Sequence, residues 1–205
     1  MKRIFLVATI AGVSMLSACG DRMTDAEIQA AIDNVSENME EELEEEDNLF
    51  VSEDGNFSVD FLGQTPSESS SNVPTDVGDV EINMFMYEKS VTEALMVAYS
   101  DYPSEMIDES DGADKLLQGA KNGALGNLNI FSSDTEKEIE IDGHPGLFFT
   151  GNNGQYYVTY EVYLVHNRLY QVAILRDGSY ASDEDRNTFL GSFKLTNGED
   201  GDSEE

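Results

Sequence analysis

The apolar positions of this chain change period several times, and each change marks an element. Ile28, Ile32, Val35, Met39 and Leu43 recur at spacings of four, three, four and four, which is one helical stripe. Thr24 and Glu27 form a capping box in front of it. The stripe then runs into an acidic stretch, Glu40 to Asp47, where like charges at one-turn spacing oppose the helix. The pattern predicts a helix over 24–38 that frays into the acids. Phe57, Val59 and Phe61 alternate with polar residues, as in a half-buried strand. Pro66 to Asp79 is rich in Ser, Pro and Gly and reads as a loop. Strands follow at 80–88 and about 93–100, although Glu93 to Ala98 also carries helical propensity. Ala113, Leu116, Leu117, Ala120 and Ala124 fall on one face of a helix over 112–128, with Asp111 or a neighbour as its cap.

Beyond that helix the period returns to two. Glu138-Ile139-Glu140-Ile141 is a strand, Asp142-Gly143-His144-Pro145-Gly146 a turn, and Leu147-Phe148-Phe149 the start of the next strand. Gly151 to Gly154 forms another turn. Residues 155–165 make a long strand, with Tyr157, Thr159, Glu161, Tyr163 and Val165 on one face. Tyr156, Val158, Tyr160, Val162 and Leu164 take the other. His166-Asn167 suits a tight hairpin, because both tolerate positive φ, and 168–176 returns antiparallel. Ser182 with Asp185 opens a last helix whose apolar stripe is Phe189, Leu190 and Phe193. Strands, one helix, four strands and one helix predict an α+β domain, an antiparallel sheet with helices packed on it. Its bounds are 49–196, long enough for one sizeable core. Residues 19–48 read as an acidic, partly helical tether and 197–205 as a disordered acidic tail.

The first residues have a different character. Lys2 and Arg3 precede an uncharged apolar run, Ile4 to Leu16, which is too short for a membrane span of roughly 20 residues and suits a signal-peptide core. It ends in Leu16-Ser17-Ala18-Cys19. That tetrapeptide resembles the lipobox of bacterial lipoproteins. The resemblance implies signal peptide 1–18, cleavage between Ala18 and Cys19, and a diacylglycerol thioether on Cys19. It also implies acylation, as by palmitate, of the new amino terminus. Two or three acyl chains anchor stably, where one chain alone is marginal. Gly20 is not the Asp that retains lipoproteins at the inner membrane, which implies the outer membrane, facing the periplasm. Cys19 is the chain's one cysteine, so no internal disulfide competes for it.

With 42 acidic and 11 basic residues, the formal charge is −31. Loss of Lys2 and Arg3 with the signal makes it two units more negative. This balance opposes nucleic-acid binding, which needs a basic footprint. It also repels anionic headgroups, and it favours a soluble monomer.

Six features together resemble bacterial domains of the PsbP-like fold, over about 55–196. They are the Tyr99-Ser100-Asp101-Tyr102-Pro103 run, a helix from Gly112, the Glu140 to Gly146 turn, the Tyr163-Leu164-Val165 strand, Arg168-Leu169-Tyr170-Gln171, and Phe189-Leu190-Gly191-Ser192-Phe193. The resemblance implies an α/β/α sandwich and a role in assembly or binding. Nothing matches the photosystem-binding segments, so that role is not implied.

Catalytic signatures are sparse. Gly119, Gly123 and Gly126 lack the spacing of a phosphate or dinucleotide loop. His144 and His166, the only histidines, fall in turns. A His–Ser–Asp site on His144 lacks a Gly-x-Ser-x-Gly elbow, and a zinc site needs more nitrogen or sulfur ligands than the chain offers. Asp108, Glu109, Asp111 and Asp114 are a calcium candidate without EF-hand order; as solvated, helix-capping acids they need no ion. Tyr156, Tyr157, Tyr160 and Tyr163 suit either an aromatic ligand surface or the two faces of a sheet. The sequence therefore points to a non-enzymatic envelope lipoprotein, with no cofactor and no metal. It would meet the membrane through its lipid and an envelope protein or small ligand through its domain. Calcium or small-ligand binding and an envelope hydrolase are the alternatives.

Overall fold

The computed structural model describes residues 49–75, 78–107 and 112–196. The lipobox, the 24–43 stripe and the acidic tail lie outside the described residues. So do Asp108, Glu109 and Asp111.

The described chain is an α+β fold dominated by antiparallel sheet. Three short strands, β1 (Phe50–Ser52), β2 (Phe57–Val59) and β10 (Lys194–Leu195), form a small sheet with β2 at its centre. Seven strands form the main sheet: β3 (Ser67–Thr75), β4 (Gly78–Ser90), β5 (Glu93–Asp101), β6 (Thr135–Ile141), β7 (His144–Asn152), β8 (Tyr156–Val165) and β9 (Arg168–Asp177). Their order is β3-β4-β5-β9-β8-β7-β6, so the one non-sequential neighbour is β5 beside β9. Two helices complete it, α1 (Gly112–Asn127) and α2 (Asp183–Phe189). Ser182 caps α2 by accepting from the Asp185 N–H at 3.0 Å, as the sequence predicts.

Strand alternation sends two cores to opposite faces of the main sheet. On one face Leu95, Val97 and Tyr99 of β5 meet Tyr163 of β8 and Tyr170, Val172 and Ile174 of β9. They lie beneath Phe57, Val59, Phe61, Phe189, Leu190 and Phe193. On the other face Val158, Tyr160, Val162 and Leu164 of β8 and Leu147 and Phe149 of β7 lie beneath Leu117 and Leu125 of α1. The two faces of 155–165 divide as the alternation predicts. Glu93 to Ala98 is strand and not helix, because a central position between β4 and β9 buries both of its faces in turn.

Three expectations are corrected. Gly151 and Asn152, read as part of a turn, are the end of β7, paired with Val158 and Tyr157 of β8. Ser67–Thr75, read as loop, is the edge strand β3, paired with β4 from Ser67↔Met86 to Thr75↔Gly78. Residues 67–74 are exposed, so the strand is held chiefly by backbone pairing, with Ser67 Oγ donating to the Met86 carbonyl at 2.9 Å, and no apolar alternation marks it. The turn read over 142–146 is only Asp142-Gly143. Both residues take positive φ, 49° and 80°, as a two-residue hairpin requires. His144, Pro145 and Gly146 already belong to β7. Proline is accommodated because the ladder to β8 starts one residue later, at Gly146↔Tyr163. Gly146 itself is required by contact: a Cβ there would lie 2.5 Å from Tyr163 Cδ1 and 2.7 Å from the Val162 carbonyl oxygen.

Candidate functional site

The main sheet is wider than the helix that covers it. Helix α1 packs over β7 and β8, and β6, one place further out, is the sheet edge. An open groove of about 940 Å³ lies between α1 and β6, within the size range of ligand sites. Leu117 and Leu147 form its apolar part, and Gly143, Pro145 and Gly146 border it.

Its charge follows from the period of β6. Ile139 and Ile141 pack on the aromatic core of the opposite face, so Glu136, Glu138 and Glu140 turn towards α1. Contacts of Glu136 agree with this. It accepts from Lys121 Nζ at 2.7 Å, from Gln118 Nε2 at 3.0 Å and from Ser133 Oγ at 3.2 Å. The hydrogen bond from Lys121, then that from Gln118, holds its carboxyl below the usual glutamate range. Glu138, Glu140 and Asp114 also line the groove and have no ion pair among the described residues. Lys137 borders the groove as well, but the same alternation places its side chain with Ile139 and Ile141 on the opposite face.

This arrangement is a ladder and not a cage. Alternate residues of a strand lie about 7 Å apart, too far for three carboxylates to converge on one ion. Among the described residues no group of three or more His, Cys, Asp and Glu side chains could hold a metal. A row of carboxylates at that interval matches the interval of alternate side chains in a second extended chain. Among the described residues no strand pairs with the outer edge of β6, and an edge of this kind is a template for backbone pairing.

The residues singled out in the sequence are distributed elsewhere. Asp114 is in the first turn of α1. The four tyrosines split across the sheet. Tyr163 stacks on Phe193 at 6.0 Å, and Tyr160 stacks on Phe149 at 4.9 Å and donates to Gln171 Oε1. Tyr157 meets Tyr180 edge-on, and only Tyr156 is exposed. Tyr160 and Tyr163 are core residues, Tyr157 is half-buried, and the four do not form one ligand surface. His144 and His166 meet with ring centroids 5.0 Å apart, and neither forms a hydrogen bond with a hydroxyl or carboxylate among the described residues. The groove was missed because β6 reads correctly as a strand, while its edge position depends on pairing that no local pattern encodes.

Two of the motifs behind the PsbP-like resemblance, Tyr99–Pro103 and Arg168–Gln171, meet at one end of the sheet. Arg168 grips Asp101 with two hydrogen bonds, Nε to Oδ1 at 2.7 Å and Nη2 to Oδ2 at 2.8 Å. It also donates to the Asp54 carbonyl and lies 4.5 Å over the Tyr99 ring. Tyr170 donates to the Gly55 carbonyl at 2.7 Å. Asn167 and Tyr102 exchange hydrogen bonds, the Tyr102 N–H to the Asn167 carbonyl and Asn167 Nδ2 to the Tyr102 carbonyl. These residues tie β5, the β8–β9 hairpin and the small sheet together.

No helix among the described residues is long and apolar enough to cross a membrane. A scan against models of protein families gives no match to this chain, and neither does a search of curated proteins.

Proposed function

We propose that this chain is a bacterial lipoprotein, anchored in the envelope by lipids on Cys19, whose PsbP-like domain is a non-enzymatic binding or assembly module. Its binding surface is the groove between α1 and β6, and its ligand is an extended, basic segment of an envelope protein. The observation that carries this reading is the row Glu136, Glu138, Glu140 on an edge strand, with Lys121 answering only the first. A second strand laid along β6 would gain main-chain hydrogen bonds, and Lys or Arg at alternate positions would meet the carboxylates. The two covers on opposite faces of one antiparallel sheet support the PsbP-like fold. The lipobox and the lone cysteine support the anchor, and the acidic residues between Cys19 and the domain suit a spacer that stands off from anionic headgroups.

Labelling cells with radioactive palmitate tests the anchor: the wild-type chain takes up label and Cys19→Ser takes up none. Lipid-free Cys19→Ser chain that stayed in the membrane fraction would argue against it. The groove is tested with Glu138→Lys/Glu140→Lys. This variant should keep its melting temperature and lose at least about tenfold in affinity for an alternating Lys-Val peptide, with a shallower salt dependence. Equal binding by both proteins would remove the groove from the proposal.

A further inference from the structure

We infer that His144 and His166 form a two-imidazole site for a divalent transition ion, at the end of the sheet where two hairpins meet. They are the only histidines in 205 residues, they lie on different hairpins, and the fold sets their rings 5.0 Å apart, centroid to centroid, inclined at 69°. That separation is what two ligating imidazoles need. With metal–nitrogen bonds of about 2.0–2.1 Å, each ring centroid stands about 3.2 Å from the ion, and a near-tetrahedral angle between the ligands then separates the centroids by about 5 Å.

Both backbones are fixed before any ion arrives. His144 is the first residue of β7, paired with Ile141 across the Asp142-Gly143 turn and followed by Pro145. His166 holds the positive-φ position, 54°, of the turn between Val165 and Arg168. His144 is half-buried and His166 exposed, so water can complete the coordination shell. This is an open site with two protein ligands. It differs from the closed four-ligand zinc site that the chain cannot supply. Imidazole suits copper, nickel and zinc, and the general order of affinities places Cu²⁺ first. The strongly negative chain raises the local concentration of any cation. An edge-to-face contact between two rings would give a similar separation, so the experiment must detect metal–nitrogen bonding.

The full chain is titrated with Cu²⁺ alone, followed by calorimetry and by electron paramagnetic resonance. One equivalent should bind with the hyperfine pattern of two nitrogens. His144→Gln and His166→Asn should each lose one nitrogen and at least about tenfold in affinity, because even the loss of supporting groups around a ligand costs that much. Asn tolerates the positive φ at position 166, so that variant keeps the turn. The double variant measures the carboxylate background. In a second measurement, Zn²⁺ should raise the melting temperature of the wild type and leave that of the double variant unchanged. A copper spectrum without nitrogen coupling, or equal affinity in wild type and double variant, would overturn the site.

Discussion

The two faces of the main sheet are finished differently. On the aromatic face, Phe50, Phe57, Phe61, Phe85, Phe189 and Phe193 interlock with Tyr99, Tyr163 and Tyr170, with neighbouring rings 5.2–6.4 Å apart. Their cover comes from both ends of the domain, because β10 pairs with β2 across more than 130 residues of chain. The opposite face is mostly aliphatic and, among the described residues, lies under one helix, which reaches β6 through Gln118 and Lys121 alone and leaves the groove open. One face closes the fold, and the other presents a surface. The difference arises from width. A single helix, about 10 Å across, covers only two or three strands at a spacing of about 4.8 Å.

Truncation should separate the faces most strongly. Phe57 is fully buried and meets Phe50, Phe85, Tyr170 and Phe193. Phe57→Ala should lose about 3–5 kcal/mol, since rings held by both sheets cannot collapse into the space. Leu117 is buried but borders the groove. Leu117→Ala should lose about 2 kcal/mol, the low end for leucine, because solvent and neighbouring side chains can reach the site. Equal losses in urea denaturation would show that the groove face is packed as tightly as the aromatic one.

A smaller effect tests why the cover over the groove face is light. Helix α1 has Gly119 and Gly123 in its interior, and a Cβ at either would meet nothing within 4 Å. Neither glycine serves packing, and each loosens the helix. Gly119→Ala and Gly123→Ala should each stabilise by about 0.4–1 kcal/mol. Amide exchange in α1 should slow, while exchange in β5 and β9 follows only the global change. If exchange in α1 is already as slow as in β9, the helix is not the softer cover.

These contrasts mark what could be read from the sequence. Period-two and period-3.6 patterns located β4 to β9 and both helices, because one-sided burial writes itself into apolar spacing. The faces of β8 were legible for the same reason. β3 was hidden, since an edge strand exposed on both faces needs no apolar residue. Pro145 disguised the start of β7, because its place beyond the ladder to β8 is a fact of pairing. The β5–β9 neighbourhood, the edge position of β6 and the meeting of His144 with His166 are long-range consequences of strand order. The acids of β6 were visible; their shared exposure beside α1 was not.

The finest test concerns Glu161, a half-buried carboxylate on the aromatic face. Glu161 lies on β8 between Thr159 and Tyr163, and Tyr163 donates to its Oε2 at 2.9 Å. Burial pushes its carboxyl above the ordinary glutamate value of 4.5, opposed by the Tyr163 hydrogen bond and the attraction of Arg186. The sign of the linkage follows. A carboxyl that holds its proton more tightly when folded carries no penalty below pH 4.5. The penalty grows as pH rises through the window from that value to the raised one, and is constant above it. Glu161→Gln keeps an acceptor for Tyr163 and removes the charge. It should match the wild type near pH 4 and exceed it at neutral pH by less than about 1 kcal/mol, since the group is partly exposed. Melting temperatures measured from pH 4 to 8 should therefore diverge as pH rises. Parallel curves would mean that water reaches Glu161 freely, and that the aromatic face is less closed than its packing implies.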